Sequence, residues 1–211
     1  VFLFSQLSAI FIILYTGMDE LYQNIIKQFP YLTLDKFSEI TAKSELKMLE
    51  EGEIFVKTGD KNRSVAYIIQ GLMRNYTISP DGQEVTVHFA AEMQAIAPYS
   101  SVFLGTPATE TTQALEPSIL LVLDFFEVKQ MALHDPIVLK LYADMLEKTM
   151  VNAIQRIEDF TQKNPEQRYQ RVLDDQAYLI DRAPLKYLAS YLGITPVSLS
   201  RIRKRLSKSR N

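Results

Sequence analysis

The rhythm of apolar and polar positions changes twice along this chain. Between residues 18 and 42, Leu21, Ile25, Ile26, Phe29, Leu34, Phe37 and Ile40 recur at helical spacing. From about Lys43 the period falls to two. KSELKML, EIFV, VAYIIQ, LMRNYTIS, EVTVHF, TTQALE and SILLVLD read as short strands, separated by the turn-rich pieces EEGE, TGDKN, QG, SPDGQ, LGTP and EP. Short strands with tight turns predict a sandwich or a jelly-roll barrel. Helical spacing returns at about Phe125. Asp135 can cap a helix that has Pro136 at its first position. That helix is expected to run to Asn164, because the residue before Pro165 is disfavoured in the α region.

Within it, Leu139, Ala143, Leu146, Met150, Ala153, Ile157 and Phe160 alternate at spacings of four and three. Such a seam, about 30 Å long at about 1.5 Å per residue, predicts pairing with a second copy. The plainer alternative is a core helix within one subunit. Val138, Leu141, Tyr142, Met145 and Ile154 form a second apolar face, suited to packing on the barrel.

Three helical segments follow, PEQRYQRVLDDQAYLI, PLKYLASYLG and PVSLSRIRKRL. In the last two, Leu188, Leu192, Ile194, Leu199 and Ile202 are spaced to share one small core. Ala189 falls where crossing helices must approach closely, and Gly193 where the turn needs a left-handed residue. This Ala-x-x-x-Gly pattern, with Leu199 six residues beyond the glycine, predicts a DNA-binding helix-turn-helix. Thr195 and Pro196 open its second helix, whose positive N-terminal end suits a phosphate. Ser198, Ser200, Arg201, Arg203, Lys204 and Arg205 are expected on the outside. Arginine can pair with a guanine edge, while serine and lysine suit phosphates. A bland helical hairpin with a basic face is the alternative.

Charge supports the first reading. The net charge of −2 hides eight basic and no acidic residues from Arg182 onward, against 15 basic and 25 acidic before it. A basic tail on an acidic body points to an anionic partner. The absence of cysteine excludes disulfides, thiolate chemistry and cysteine-ligated metal clusters, and fits a cytoplasmic protein. With only His88 and His134 as imidazoles, no metal site and no cofactor are expected. The first seventeen residues, VFLFSQLSAIFIILYTG, are apolar, uncharged and slightly short for a membrane span. They lack the basic start of a secretory signal. Translation beginning at Met18 is the favoured reading, and a membrane-associating leader is the alternative.

The order of jelly roll, seam helix and helix-turn-helix, with GEIFVKTGD, VAYIIQGLMRNY and PLKYLASYLGITPVSLSRIRKRL, resembles the Crp/Fnr family of bacterial transcription regulators. The last stretch looks like the variants common in Bacteroidetes-type bacteria. The resemblance implies a homodimer joined through the long helix and effector binding in the barrel that reorients the DNA-binding helices. RNA polymerase is a candidate further partner. It also exposes departures. In members that bind cyclic AMP, a glutamate holds the ribose and an Arg-Ser pair holds the phosphate. Those positions fall here on Pro98, Ala108 and Thr109. Tyr99, Ser100, Ser101, Thr109, Thr111 and Thr112 would leave a neutral, hydroxyl-rich pocket, so cyclic AMP is not the expected effector. Glu110 and Glu116 would repel a phosphate further if they face the pocket. A haem sensor would need axial ligands, for which His88 is a weak candidate. The recognition helix starts with Pro196 and Val197, where cyclic-AMP-type members carry Arg-Glu, while Arg201 matches the family's base-reading arginine.

The expected molecule is α+β. Residues 18–135 would be a jelly-roll sensor domain with flanking helices, residues 136–164 a dimerisation helix, and residues 165–211 the DNA-binding domain. The expected function is sequence-specific, homodimeric regulation of transcription, without enzymatic activity. The effector pocket would lie at Pro98, Tyr99, Ser100, Ala108, Thr109 and Thr111. A cupin-like enzyme or small-molecule-binding jelly roll with a basic tail is the rival class, disfavoured because VTVHFAAE supplies one histidine where a metal cupin needs a cluster. A membrane-tethered regulator is the third.

Overall fold

The computed structural model describes residues 18–209. The expectations about residues 1–17 and Arg210 lie outside that span. The helical stretch at the start is two helices, α1 (Met18–Gln28) and α2 (Leu34–Thr41). They part near Pro30, and Thr33 restarts the helix by accepting the Lys36 N–H on its side chain. Leu21, Ile25, Phe37 and Ile40 pack with Tyr67, Leu121, Ala132 and Val138 in one buried cluster.

Eight strands follow: β1 (Glu45–Leu49), β2 (Ile54–Val56), β3 (Ser64–Gln70), β4 (Met73–Ile78), β5 (Glu84–Ala90), β6 (Ala95–Ile96), β7 (Thr111–Ala114) and β8 (Ser118–Asp124). All their pairings are antiparallel. They form two four-stranded sheets, ordered β1-β8-β3-β6 and β2-β7-β4-β5. The jelly roll is therefore a double sheet and not a closed barrel. Between the sheets lie Leu49, Ala66, Ile68, Met73, Ala90, Ile96, Ala114 and Leu120. Seven strands match the period-two stretches. β6 and a short helix, α3 (Tyr99–Leu104), escaped because a two-residue strand and a six-residue helix are too short to show a period.

The turn between β3 and β4 needs its glycine. Gly71 has φ +111°, and a Cβ there would lie 2.2 Å from the Ser118 hydroxyl oxygen. Its N–H donates to Glu92 at 2.9 Å, which fixes that carboxylate at the sheet's edge.

Helix α4 (Phe125–His134) leads into α5 (Pro136–Gln162). Asp135 caps α5 as expected, accepting from the N–H groups of Ile137 and Val138. The helix stops two residues before Asn164, which instead forms a capping box with Gln167 at the start of α6 (Pro165–Asp175). The segment expected as one helix to Ile180 breaks at Gln176, and α7 (Tyr178–Arg182) follows. Asp174 and Asp175 at the carbonyl end of α6 disfavour its continuation.

The chain finishes with α8 (Leu185–Tyr191) and α9 (Pro196–Ser209). Leu188, Ala189, Leu192, Leu199 and Ile202 are buried, and Ile194 packs against them. Gly193 has φ +67°, and a Cβ there would meet the Phe160 ring at 2.7 Å. The shared core is larger than the sequence indicated, since it continues into Leu72, Phe89, Ala91 and Leu115 of the double sheet.

Candidate nucleic-acid interface and ligand cavity

Helix α9 presents two different faces. Leu199 and Ile202 point into the core, while Val197, Ser200, Arg201 and Lys204 are exposed. Their spacing of three, one and three residues places these four on one side. The Thr195 hydroxyl accepts the Ser198 N–H at 3.2 Å and lies 3.0 Å from the Ser198 hydroxyl. That pairing leaves Ser198 half-buried. Pro196 is exposed at the first turn.

Two of the expected outward residues are committed elsewhere. Arg203 points inward, donating to the Tyr169 hydroxyl at 3.2 Å and to the Ile180 carbonyl at 3.0 Å. It ties α9 to α6 and α7, so the outward placement expected for it is corrected. Its position one residue after the core residue Ile202 turns it toward α6 and α7. Arg205 is exposed but pairs with Glu166. An exposed pair of this kind is worth under about 1 kcal/mol, so it can open. Val197 joins the exposed face as an apolar group that the charge-based reading passed over.

The helix pair sits against the double sheet through a dense polar seam. Arg74, fully buried, donates to Gln113, Thr86 and Glu84, and its guanidinium lies between the Tyr76 and Tyr187 rings, 4.0 and 3.5 Å from their centroids. It is therefore no part of a ligand pocket. Arg182 of α7 grips Glu92 through two bonds of 2.8 Å and Glu116 through one of 2.5 Å. The Thr86 N–H donates to the Ser190 hydroxyl at 3.2 Å.

Long helix α5 carries an exposed apolar face. Leu139 is 52%, Met150 58% and Ile157 63% exposed, with Ala153 exposed and Ala143 and Leu146 half-exposed. Ile154, expected on the barrel-packing face, is also exposed, whereas Val138 is fully buried and Leu141 and Tyr142 pack on the core. Phe160 is 45% exposed and also touches the helix-turn-helix. Its ring abuts Gly193 and lies under the guanidinium groups of Arg156 and Arg168. It braces the helix-turn-helix, because helix α6 turns back beside it.

Pro98, Ser100, Ala108, Thr109 and Thr111, expected around an effector pocket, do not line the cavity beside α5. Pro98 is buried at the start of α3, and Ala108, 3% exposed, is held by backbone bonds to Gly59 and Asp60. Thr111 accepts from the Thr58 N–H, and the hydroxyls of Ser100 and Thr109 bond each other at 3.0 Å. These groups satisfy one another and the 57–62 loop. The cavity, of about 670 Å³, lies beside them, between β5, α5 and α8. Of the six expected residues only Tyr99 lines it.

Its walls include Asn75 and His88 from the double sheet, Tyr99 from α3, Glu110 just before β7, Thr149, Asn152 and Arg156 from α5, and Tyr191 from α8. Thr149, Asn152, Arg156 and Asp159 each stand one residue before a seam residue, so a polar stripe runs beside the apolar one. That offset was the available signal in the sequence. Burial pushes the His88 imidazole down to about 4, with the Arg156 charge adding to the effect, so it is neutral near pH 7. Burial also raises the Glu110 carboxyl, against a 2.9 Å bond from Asn75 that favours its charge. Glu116, by contrast, is turned away to Arg182.

A cyclic phosphate does not fit the residues at Ala108 and Thr109, which offer no cation. Of the arginines that line the cavity, Arg156 is on α5 and donates to the Tyr191 carbonyl at 2.5 Å, while Arg168 and Arg171 belong to α6. Cyclic AMP and cyclic GMP are expected to bind no better than about 1 mM, near −4 kcal/mol. Titration calorimetry checks this, and a micromolar constant for either would contradict it.

Residues 46–135 match the cyclic nucleotide-binding domain family. No curated protein matches the sequence. Among solved structures, FixK2 from Bradyrhizobium japonicum is 15% identical with a TM-score of 0.68, over 79% of this chain and 85% of that one. The catabolite activator protein of Thermus thermophilus is 17% identical with a TM-score of 0.54, over 86% of each chain. DNR from Pseudomonas aeruginosa is 27% identical with a TM-score of 0.50, over 89% and 88%. Residues 46–135 are thus similar to cyclic nucleotide-binding domains, set in a chain that has the fold of the Crp/Fnr regulators.

Proposed function

We propose that this chain is a homodimeric, sequence-specific DNA-binding regulator of transcription and not an enzyme. One observation carries the reading: a complete helix-turn-helix core holds α9 so that Val197, Ser200, Arg201 and Lys204 share one exposed face. A helix of this kind fits the major groove, with Arg201 on a guanine edge, Val197 against a thymine methyl and Lys204 on a phosphate. Thr195, Pro196 and Ser198 stand at the helix start, suited to a second phosphate. The exposed face of α5 supports pairing of two copies, which would space two recognition helices for a palindromic site. Among the described residues no group of three or more His, Asp or Glu side chains is placed to hold a metal. No described helix is long and apolar enough to cross a membrane.

Gel-shift titrations across salt concentrations test the docking. Arg201→Ala is expected to cost about 1–3 kcal/mol and to relax preference at one base pair. Lys204→Ala is expected to weaken all sequences alike and to lower the salt slope by about one. Unchanged affinity and preference in Arg201→Ala would contradict the placement of α9.

A further inference from the structure

The donors of Arg201, Arg203, Lys204 and Arg205 on α9 are spent in three ways. Arg201 and Lys204 are exposed and make no ion pair among the described residues. Arg203 is built into the support of the helix, on Tyr169 and Ile180. Arg205 has a side chain 63% exposed, yet two of its donors go to one carboxylate. Its Nε donates to Oε1 of Glu166 at 3.2 Å, and its Nη2 donates to Oε2 of the same residue.

That pairing uses one whole edge of the guanidinium, the same fork that a phosphate takes. Arg205 stands one turn beyond Arg201, so it borders the face of α9 proposed for DNA. Its partner is 39 residues away in the chain, at a junction that the fold fixes. Glu166 lies in the first turn of α6, where the unpaired N–H groups of a helix attract an acidic side chain. The Asn164–Gln167 capping box holds that turn, and the Arg203 bond to Tyr169 ties α9 to the same helix. A pair this exposed adds little to stability. Its effect on a polyanion is larger, because it cancels one of the few cations α9 offers and sets an acid beside the phosphates.

We propose that Glu166 restrains binding to duplex DNA of arbitrary sequence, by occupying Arg205 until docking of α9 on its own site brings a phosphate into reach. The proposal deepens the regulator reading and rests on α9 being the helix that faces DNA.

Titration of a fluorescent duplex of arbitrary sequence with the full chain, across salt concentrations, tests it. The proteins compared are wild type, Glu166→Gln, Arg205→Ala and the double variant. Glu166→Gln is expected to tighten binding about two- to fivefold at low salt. It is also expected to steepen the salt dependence by about one phosphate contact. In the Arg205→Ala background the same change is expected to leave the salt slope where it was. Glutamine keeps the size of the side chain at a partly exposed position, and thermal unfolding checks that the variant is folded. Unchanged or looser binding by Glu166→Gln would overturn the proposal, and so would a steeper slope that persists in Arg205→Ala. Both of those results leave the regulator reading standing, whereas failure of wild type and Glu166→Gln alike to bind any duplex would remove it together with the proposal.

Discussion

Met150→Glu is expected to yield monomers and to abolish operator binding in the same step. Met150 lies midway along the exposed face of α5 and is itself 58% exposed in the single chain. In the proposed pair it meets its own symmetry mate, because an isologous interface brings identical positions together at its axis. Two glutamates there would be buried against each other without a cation. The cost is several kcal/mol, roughly 3–5, enough to lower dimer affinity by a factor of several hundred or more. The single chain would keep its fold, since the side chain is exposed in it. Sedimentation and gel shift on one preparation check the outcome. A folded dimer with unchanged operator affinity would place the pairing surface elsewhere.

Arg182→Ala is expected to loosen the helix-turn-helix from the double sheet while leaving the sheet intact. The guanidinium neutralises both Glu92 and Glu116, so its removal leaves two acids facing each other beside the edge of β5. All three side chains are partly solvent-exposed, which brings the expected cost to about 2 kcal/mol, below that of a buried pair. Hydrogen exchange should speed up in residues 165–209 and not in β3 or β8. Burial opposes ionisation of Glu92, but the Arg182 bonds and the Gly71 N–H outweigh it and hold the carboxyl at about 2, against an ordinary value of 4.5. The clamp's full contribution is therefore present above about pH 4.5 and fades as pH falls toward 2. Acid should release the helix pair in that window, and the Arg182→Ala protein should lack this transition.

The parts of the fold that repeat were legible in the sequence. Seven strands, the Asp135 cap, the apolar face of α5 and the Ala189–Gly193 turn follow from periodicity and from backbone chemistry that few residues satisfy. β6 and α3 were hidden because each is shorter than the period needed to detect it. Arg203 was misplaced for a different reason. A charged residue on a basic helix reads as solvated, and only the position of α6 and α7 shows that its donors meet Tyr169 and Ile180. The cavity was missed because it belongs to no single element. Asn75, Glu110 and Arg156 are separated by dozens of residues, and their convergence depends on how α5 lies across the sheet. Glu110 was noted as a hazard to a phosphate, and the structure puts it on the cavity wall, while Glu116 is withdrawn to Arg182.

The most direct test of the regulator reading is selection of bound fragments from genomic DNA by the purified protein, followed by footprinting. The account predicts a palindromic site with half-site centres about 10 base pairs or a multiple apart, protected by the wild type and more weakly, with preference relaxed at one base pair of each half-site, by Arg201→Ala. Retention of DNA without sequence preference, equal for wild type and Arg201→Ala, would contradict it.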